Sequence, residues 1–205
     1  TQEFLATRDR LKKLNKPFVV LLGNHDCLGT GTKAYQVTFG NPDFAFIAGR
    51  VKFVCLNTNA IEYDYSQPVP NFDFIKAEWT NRADEFDRSV VCMHAPPFSE
   101  QFNNNVAEPF NDYIHKLPQL MFCLDGHGHH IRIQDLYDDG TIFYMTASAK
   151  ERKYYIFTIT PDDSSYEIID FQDISSFVSD ACMCSGATER RGRYNVGCSR
   201  HGGET

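Results

Sequence analysis

The chain opens with apolar residues at helical spacing and then changes to short, unbroken apolar runs. Within 4–14, Phe4, Leu5, Leu11 and Leu14 recur at roughly the helical period, which predicts an amphipathic helix. Pro17-Phe18-Val19-Val20-Leu21-Leu22 predicts a buried strand that stops at Gly23. Residues 27–43 are rich in Gly and Thr and predict an irregular loop. Strands are predicted at 44–47 and 51–57, on either side of Ala48-Gly49-Arg50. A second loop spans 58–73, and Phe72, Ile75, Trp79 and Phe86 form the apolar face of a predicted helix over 72–86. A strand over 89–93, a loop with Pro96 and Pro97, a polar loop over 99–107, a helix near 108–116 and a strand over 120–124 continue the alternation.

Beyond that point the period shortens. Residues 131–137, 141–146, 154–160 and 166–171 predict antiparallel strands, joined by Asp138-Asp139-Gly140 and Pro161-Asp162-Asp163. Strand-helix alternation followed by a meander predicts a mixed α/β domain over 1–171, with two packed mixed sheets flanked by helices. From 172 to 205 Ser, Gly, Arg and Cys dominate, and periodicity fades after Phe177 and Val178. A disordered tail is expected there. Its Cys182, Cys184, Cys198 and His201 match no common zinc-finger spacing.

Composition changes this picture little. The 205 residues suffice for one domain with a real core, and 42% hydrophobic with 23% charged residues is ordinary for a globular chain. A net charge of −7 argues against a nucleic-acid-binding face. No apolar run approaches the ~20 residues of a membrane-spanning helix. The chain begins at Thr1 rather than at Met, which reads as a piece of a longer chain, so a targeting segment stays open. Cys55, Cys92 and Cys123 lie in strand-like runs as small buried hydrophobes, favouring a reducing, cytoplasmic setting over a disulfide scaffold. No pattern in the chain bears on oligomeric state.

Chemistry gathers where the apolar runs end. The run to Leu22 delivers Gly23-Asn24-His25-Asp26, the strand over 89–93 delivers His94, and the strand over 120–124 delivers Asp125-Gly126-His127-Gly128-His129-His130. Loops outside the carboxyl ends of strands are where open α/β sheets place their sites. His127 and His129 are two apart and project to one side of an extended segment, while Gly126 and Gly128 permit a close approach to an ion. Imidazole suits zinc, iron, manganese or nickel. The competing reading is a surface loop with incidental histidines. For His94 it is a hydrogen-bonded core histidine, which the rigid Pro96-Pro97 loop after it makes less apt. Asn24 offers a neutral amide oxygen. If Asn24 binds a metal, the adjacent His25 points beside it, placed to donate a proton or bind an anionic oxygen, with Asp26 available to orient the ring.

Taken together, Gly23-Asn24-His25-Asp26, then His94 with Ala95-Pro96-Pro97, then Gly126-His127-Gly128-His129 resemble the calcineurin-like metallophosphoesterase superfamily over about residues 4–171. The resemblance implies an αββα sandwich and a dinuclear centre of divalent metals that hydrolyses phosphate monoesters or diesters, on a small or a macromolecular substrate. It implies Asn24, His94 and His127 as ligands of one metal, His129 as a ligand of the other, and His25, oriented by Asp26, as the catalytic group at the leaving oxygen. The family's opening Asp-x-His and Gly-Asp motifs do not occur ahead of Gly23, so the chain resembles the C-terminal two-thirds of such a domain. Without their carboxylates two neighbouring cations would face only neutral ligands, and their repulsion would be poorly offset. The expectation is one well-held metal and weak or absent hydrolysis by this chain alone. The alternative is a non-catalytic metal-binding or interaction module built on the same fold. Tyr63, Tyr65, Phe98 and Phe102 either stack at a substrate rim or pack locally, and the sequence favours neither.

Overall fold

Three short, mostly apolar runs form the spine of the larger sheet, the first two buried nearly throughout and the third over half its length. In the computed structural model, which describes residues 2–60 and 68–171, these are β2 (Val51–Leu56), β3 (Arg88–Met93) and β4 (Leu120–Asp125). β2 pairs parallel to β3, and β3 parallel to β4. β1 (Phe44–Ala48) pairs antiparallel to β2 at one edge. At the other edge β6 (Ile142–Met145) runs parallel to β4 and carries β5 (Arg132–Asp135) antiparallel to it. The order β1-β2-β3-β4-β6-β5 is a mixed six-stranded sheet. Because β2, β3 and β4 are parallel, their carboxyl ends emerge at the same edge.

The helices are α1 (Gln2–Lys12), α2 (Gly31–Phe39), α3 (Phe72–Glu78) and α4 (Ala107–Ile114). Phe110, Ile114 and Ile75 bury against Val54, Val91, Met93 and Cys123, which makes the main core. Phe4, Val20, Leu22, Tyr35 and Phe39 form a smaller cluster among α1, α2 and the segment between them. β7 (Lys153–Ile159) and β8 (Ser164–Asp170) make a separate antiparallel pair. The chain divides into two units, Thr1–His127 with Arg132–Met145, and Gly128–Ile131 with the chain from Thr146 onward.

Four expectations need correcting. The run at 17–22 is not a strand. Its carbonyls go to side chains instead: Tyr35 Oη donates to Val20 O at 2.6 Å, and Asn59 Nδ2 donates to Leu22 O at 2.8 Å. The loop expected over 27–43 contains α2, because Ala34, Tyr35, Thr38 and Phe39 keep helical spacing behind Gly29 and Gly31. The helix expected to reach residue 86 stops at Glu78. Lys52 Nζ donates to Glu78 O and Asn81 O, so a buried cation takes up the freed terminal carbonyls. The four C-terminal strands are not one meander. β5 and β6 join the large sheet, and β7 and β8 pair with each other. Tyr63, Tyr65 and the Cys182, Cys184, Cys198 and His201 cluster lie outside the described residues.

Buried Lys52 sits 2.7 Å from Glu78 Oε2, with the Phe86 ring 4.4 Å beneath its ammonium. Cys27, Cys55, Cys92 and Cys123 are all buried free thiols. Cys55 and Cys92 are register partners on β2 and β3; the contact with Cys92, then burial, raises the Cys55 pKa far above the thiol range.

Candidate functional site

Two of the sequence-marked histidines are held by the strand ends. His94 directly follows β3, and its carbonyl accepts from Gly126 N at 3.0 Å, which continues the β3–β4 pairing one step past both strands. Ala95 N donates to Thr58 Oγ1 at 3.2 Å, fixing the same peptide group to the loop after β2. His127 follows β4 with a left-handed backbone, φ 66°, a conformation that non-glycine residues adopt seldom and that clusters at functional sites. The His127 side chain is only 14% exposed, and its ring stands edge-on to His94 with centroids 5.3 Å apart.

Asn24 arrives by other means. It follows the extended segment whose Leu22 carbonyl is gripped by Asn59, and it opens the 3-10 turn His25–Cys27. Asp26 Oδ2 accepts from Gly23 N at 3.0 Å, so this carboxylate closes its own loop rather than steadying the neighbouring imidazole. Gly23 lets these side chains come close: a Cβ there would stand 3.2 Å from Asp26 Oδ2 and 3.4 Å from His94 Cε1. Asn24 is buried, and its Oδ1 lies 2.9 Å from His94 Nε2. An amide oxygen and an imidazole nitrogen therefore converge, with a second imidazole against the first.

His25 is not part of that convergence. His25 is exposed and lines a cavity of about 440 Å³ with Phe4, Thr7, Ala34 and Phe39, and Asn24, His94 and His127 are not in that lining. His129 belongs to the second unit, where its carbonyl accepts from Ser148 N at 3.2 Å.

One carboxylate contacts His127, and a second ends β4, the strand that delivers it. Glu100 Oε1 is 2.7 Å from His127 Nε2, and that bond holds its carboxyl below the usual glutamate range. Asp125, at the end of β4, is 5% exposed, and its Oδ1 has no hydrogen-bond partner among the described residues. Burial pushes its carboxyl up to about 7 against the opposing pull of Arg132. Sequence pattern marks neither Glu100 nor Asn59 as a functional residue. Glu100 is the one carboxylate in the polar loop over 99–107, a signal that was open to reading. Nothing local marks Asn59, whose partner Leu22 is 37 residues away in the chain.

Asn24 Oδ1, His94 and His127 suit a divalent cation by donor chemistry, since neutral oxygen and imidazole are accepted by zinc, manganese, iron and nickel. Among the described residues no three His, Cys, Asp or Glu side chains group so as to hold a metal, so any such set here depends on the asparagine. Also among the described residues, no helix is long and apolar enough to cross a membrane.

A comparison with curated proteins finds no match. A comparison with protein families matches the calcineurin-like phosphoesterase description over residues 2–131, which takes in Gly23-Asn24-His25-Asp26, His94, Glu100, His127 and His129. That span is more than half of the chain, so the chain belongs to the calcineurin-like phosphoesterase family.

Proposed function

We propose that this chain binds one divalent cation through Asn24, His94 and His127, and that its chemistry is metal-dependent hydrolysis of phosphate monoesters or diesters. The observation that carries the reading is the 2.9 Å approach of Asn24 Oδ1 to His94 Nε2, with His127 stacked edge-on against His94. Two chain segments 70 residues apart meet there with donor atoms foremost. A bound cation would supply charge for the phosphoryl oxygens and lower the pKa of a coordinated water. The protein's own part is to hold the donors. Gly126 N and Thr58 Oγ1 grip the His94–Ala95 peptide group from its carbonyl and its N–H, and Asn59 fixes the backbone ahead of Asn24.

Hydrolysis by the 205-residue chain is expected to be weak, because the donors that converge are neutral. The test is hydrolysis of p-nitrophenyl phosphate and bis-p-nitrophenyl phosphate with added Mn²⁺, beside a Mn²⁺ titration. Metal-dependent turnover lost in His94→Ala supports the reading. Mn²⁺ bound through His94 without turnover moves the chain to a non-catalytic metal-binding module.

A further inference from the structure

His127 is restrained more tightly than a loop histidine needs to be. Its backbone is left-handed, its ring is nearly buried, and its Nε2 touches Glu100 Oε1 at 2.7 Å. Glu100 itself is 74% exposed, yet the turn that carries it is fastened on both sides. Ser99 Oγ donates to Pro96 O at 2.7 Å, and Asn104 Nδ2 donates to Ser99 O at 2.8 Å. Asn104 Oδ1 accepts from Phe98 N at 2.8 Å, and Gln101 O accepts from Ala60 N at 2.8 Å. This turn begins at Pro96 and Pro97, directly after His94 and Ala95, so the segment that positions one histidine returns to hold the other.

The chemistry of the contact sets the proton. An ionised carboxylate only accepts hydrogen bonds, so the Glu100 contact requires Nε2–H on His127. A neutral ring then keeps its lone pair on Nδ1. Imidazoles that bind metals commonly donate their other N–H to a carboxylate, which fixes tautomer and ring orientation.

We infer that Glu100 is a positioning residue for His127, holding its ring in the Nε2–H tautomer so that Nδ1 is the donor offered to a divalent cation. The inference rests on the metal-binding reading above and adds a residue and a nitrogen to it. Glu100 acts through His127 and is not itself assigned as a ligand.

The experiment compares the full chain with Glu100→Ala and Glu100→Gln by calorimetric titration with Mn²⁺ alone, and by ¹⁵N NMR of the histidine rings in metal-free protein at mildly alkaline pH. Manganese is chosen because it is poorly matched to thiolates such as those of Cys182, Cys184 and Cys198. Glutamine keeps an oxygen that can accept from Nε2–H. Glu100→Gln is therefore expected to bind within a few-fold of the parent, while Glu100→Ala loses about 10–100-fold in affinity. In the parent and in Glu100→Gln the His127 ring should show the Nε2–H tautomer, and in Glu100→Ala a mixture. Equal losses in both variants would make the charge essential and Glu100 a direct ligand. Tighter binding in Glu100→Ala would make it a cap over the site, and unchanged binding would make the contact incidental; each overturns the inference. If the parent binds no Mn²⁺, or binds it regardless of His94→Ala, the metal-binding reading has failed. The ring tautomers then decide alone whether Glu100 sets His127, with an Nδ1–H ring overturning it.

Discussion

The Asn24 loop and the strand ends that carry His94 and His127 lie in the same unit and meet at 2.9 Å, but they are built differently. The strand ends inherit their positions from a backbone ladder. β2 and β3 pair residue by residue, β3 and β4 pair with one register shift at Ser89/Val90, their side chains are buried against α3 and α4, and one further backbone bond from Gly126 extends the order past the last strand residue. The Asn24 loop has no ladder. Its approach segment is held by the Tyr35 hydroxyl on Val20 O, the Asn59 amide on Leu22 O and the Asp26 carboxylate on Gly23 N. Each of these is a single side-chain bond, worth about 0.5–1.5 kcal/mol net or about 1.5–3 kcal/mol for the Asp26 carboxylate, beside a small apolar cluster, whereas the ladder is backed by the main core. The difference teaches that one half of the site stands or falls with global folding, while the other can open locally.

The largest effect expected comes from attacking the sheet half. Lys52→Ala removes the cation that pairs with buried Glu78 and caps the end of α3. Leaving one buried charge unpaired costs about 3–5 kcal/mol. The denaturation midpoint should fall steeply, and hydrogen-exchange protection should drop in β2, β3 and the Asn24 loop together. Loss confined to the loop would refute the claim that the sheet half is global.

An intermediate effect is expected from Asn59→Ala. It strips Leu22 O of its donor in a buried setting, worth about 1–3 kcal/mol. Here the comparison predicts a local response: exchange should accelerate over 21–26 while β3 keeps most of its protection. Mn²⁺ affinity should weaken as Asn24 loses its place beside His94. Uniform acceleration in both regions would mean that the loop and the sheet form one cooperative unit.

The smallest effect concerns a side-chain clasp within the sheet half. Asp43 Oδ1 accepts from Asn57 N at 2.8 Å, and burial raises its carboxyl from 3.8 to about 6. The folded state thus holds this proton more tightly than the unfolded chain does. Its contribution to stability is fully present below about pH 3.8 and is lost as pH rises through about 6. Asp43→Asn should remove that part of the pH dependence, read from denaturant midpoints across the interval. It should leave exchange in β1 and β2 nearly unchanged, because their ladder already fixes the two strands.

The local elements were largely legible in the chain because they depend on short-range periodicity. Short apolar runs marked β1 to β4 within a residue or two, and the turn residues marked the breaks between them. The strand-end positions of His94 and His127 followed directly. The family resemblance carried by the Asn-His, His and Gly-His-Gly-His motifs stood once residues 2–131 were compared. Hidden from the sequence was everything fixed by a partner far along the chain. Pro17 to Leu22 reads as a strand because apolar runs usually are, and only the folded chain shows Tyr35 and Asn59 taking its carbonyls. The helix over 72–86 has acceptable periodicity beyond Glu78, and only Lys52, reaching across from β2, explains its end.

What the sequence determined by itself was which residues carry donor chemistry and that they fall at the ends of apolar runs, since residue identity and local period are properties of the chain. The tertiary structure alone decided which donors converge. It brought Asn24 to His94 and Glu100 to His127, turned Asp26 back onto Gly23, and set His25 in the lining of another cavity. The reason is physical. Convergence depends on contacts between segments tens of residues apart, and those are chosen by the packing of the whole core rather than by any local pattern.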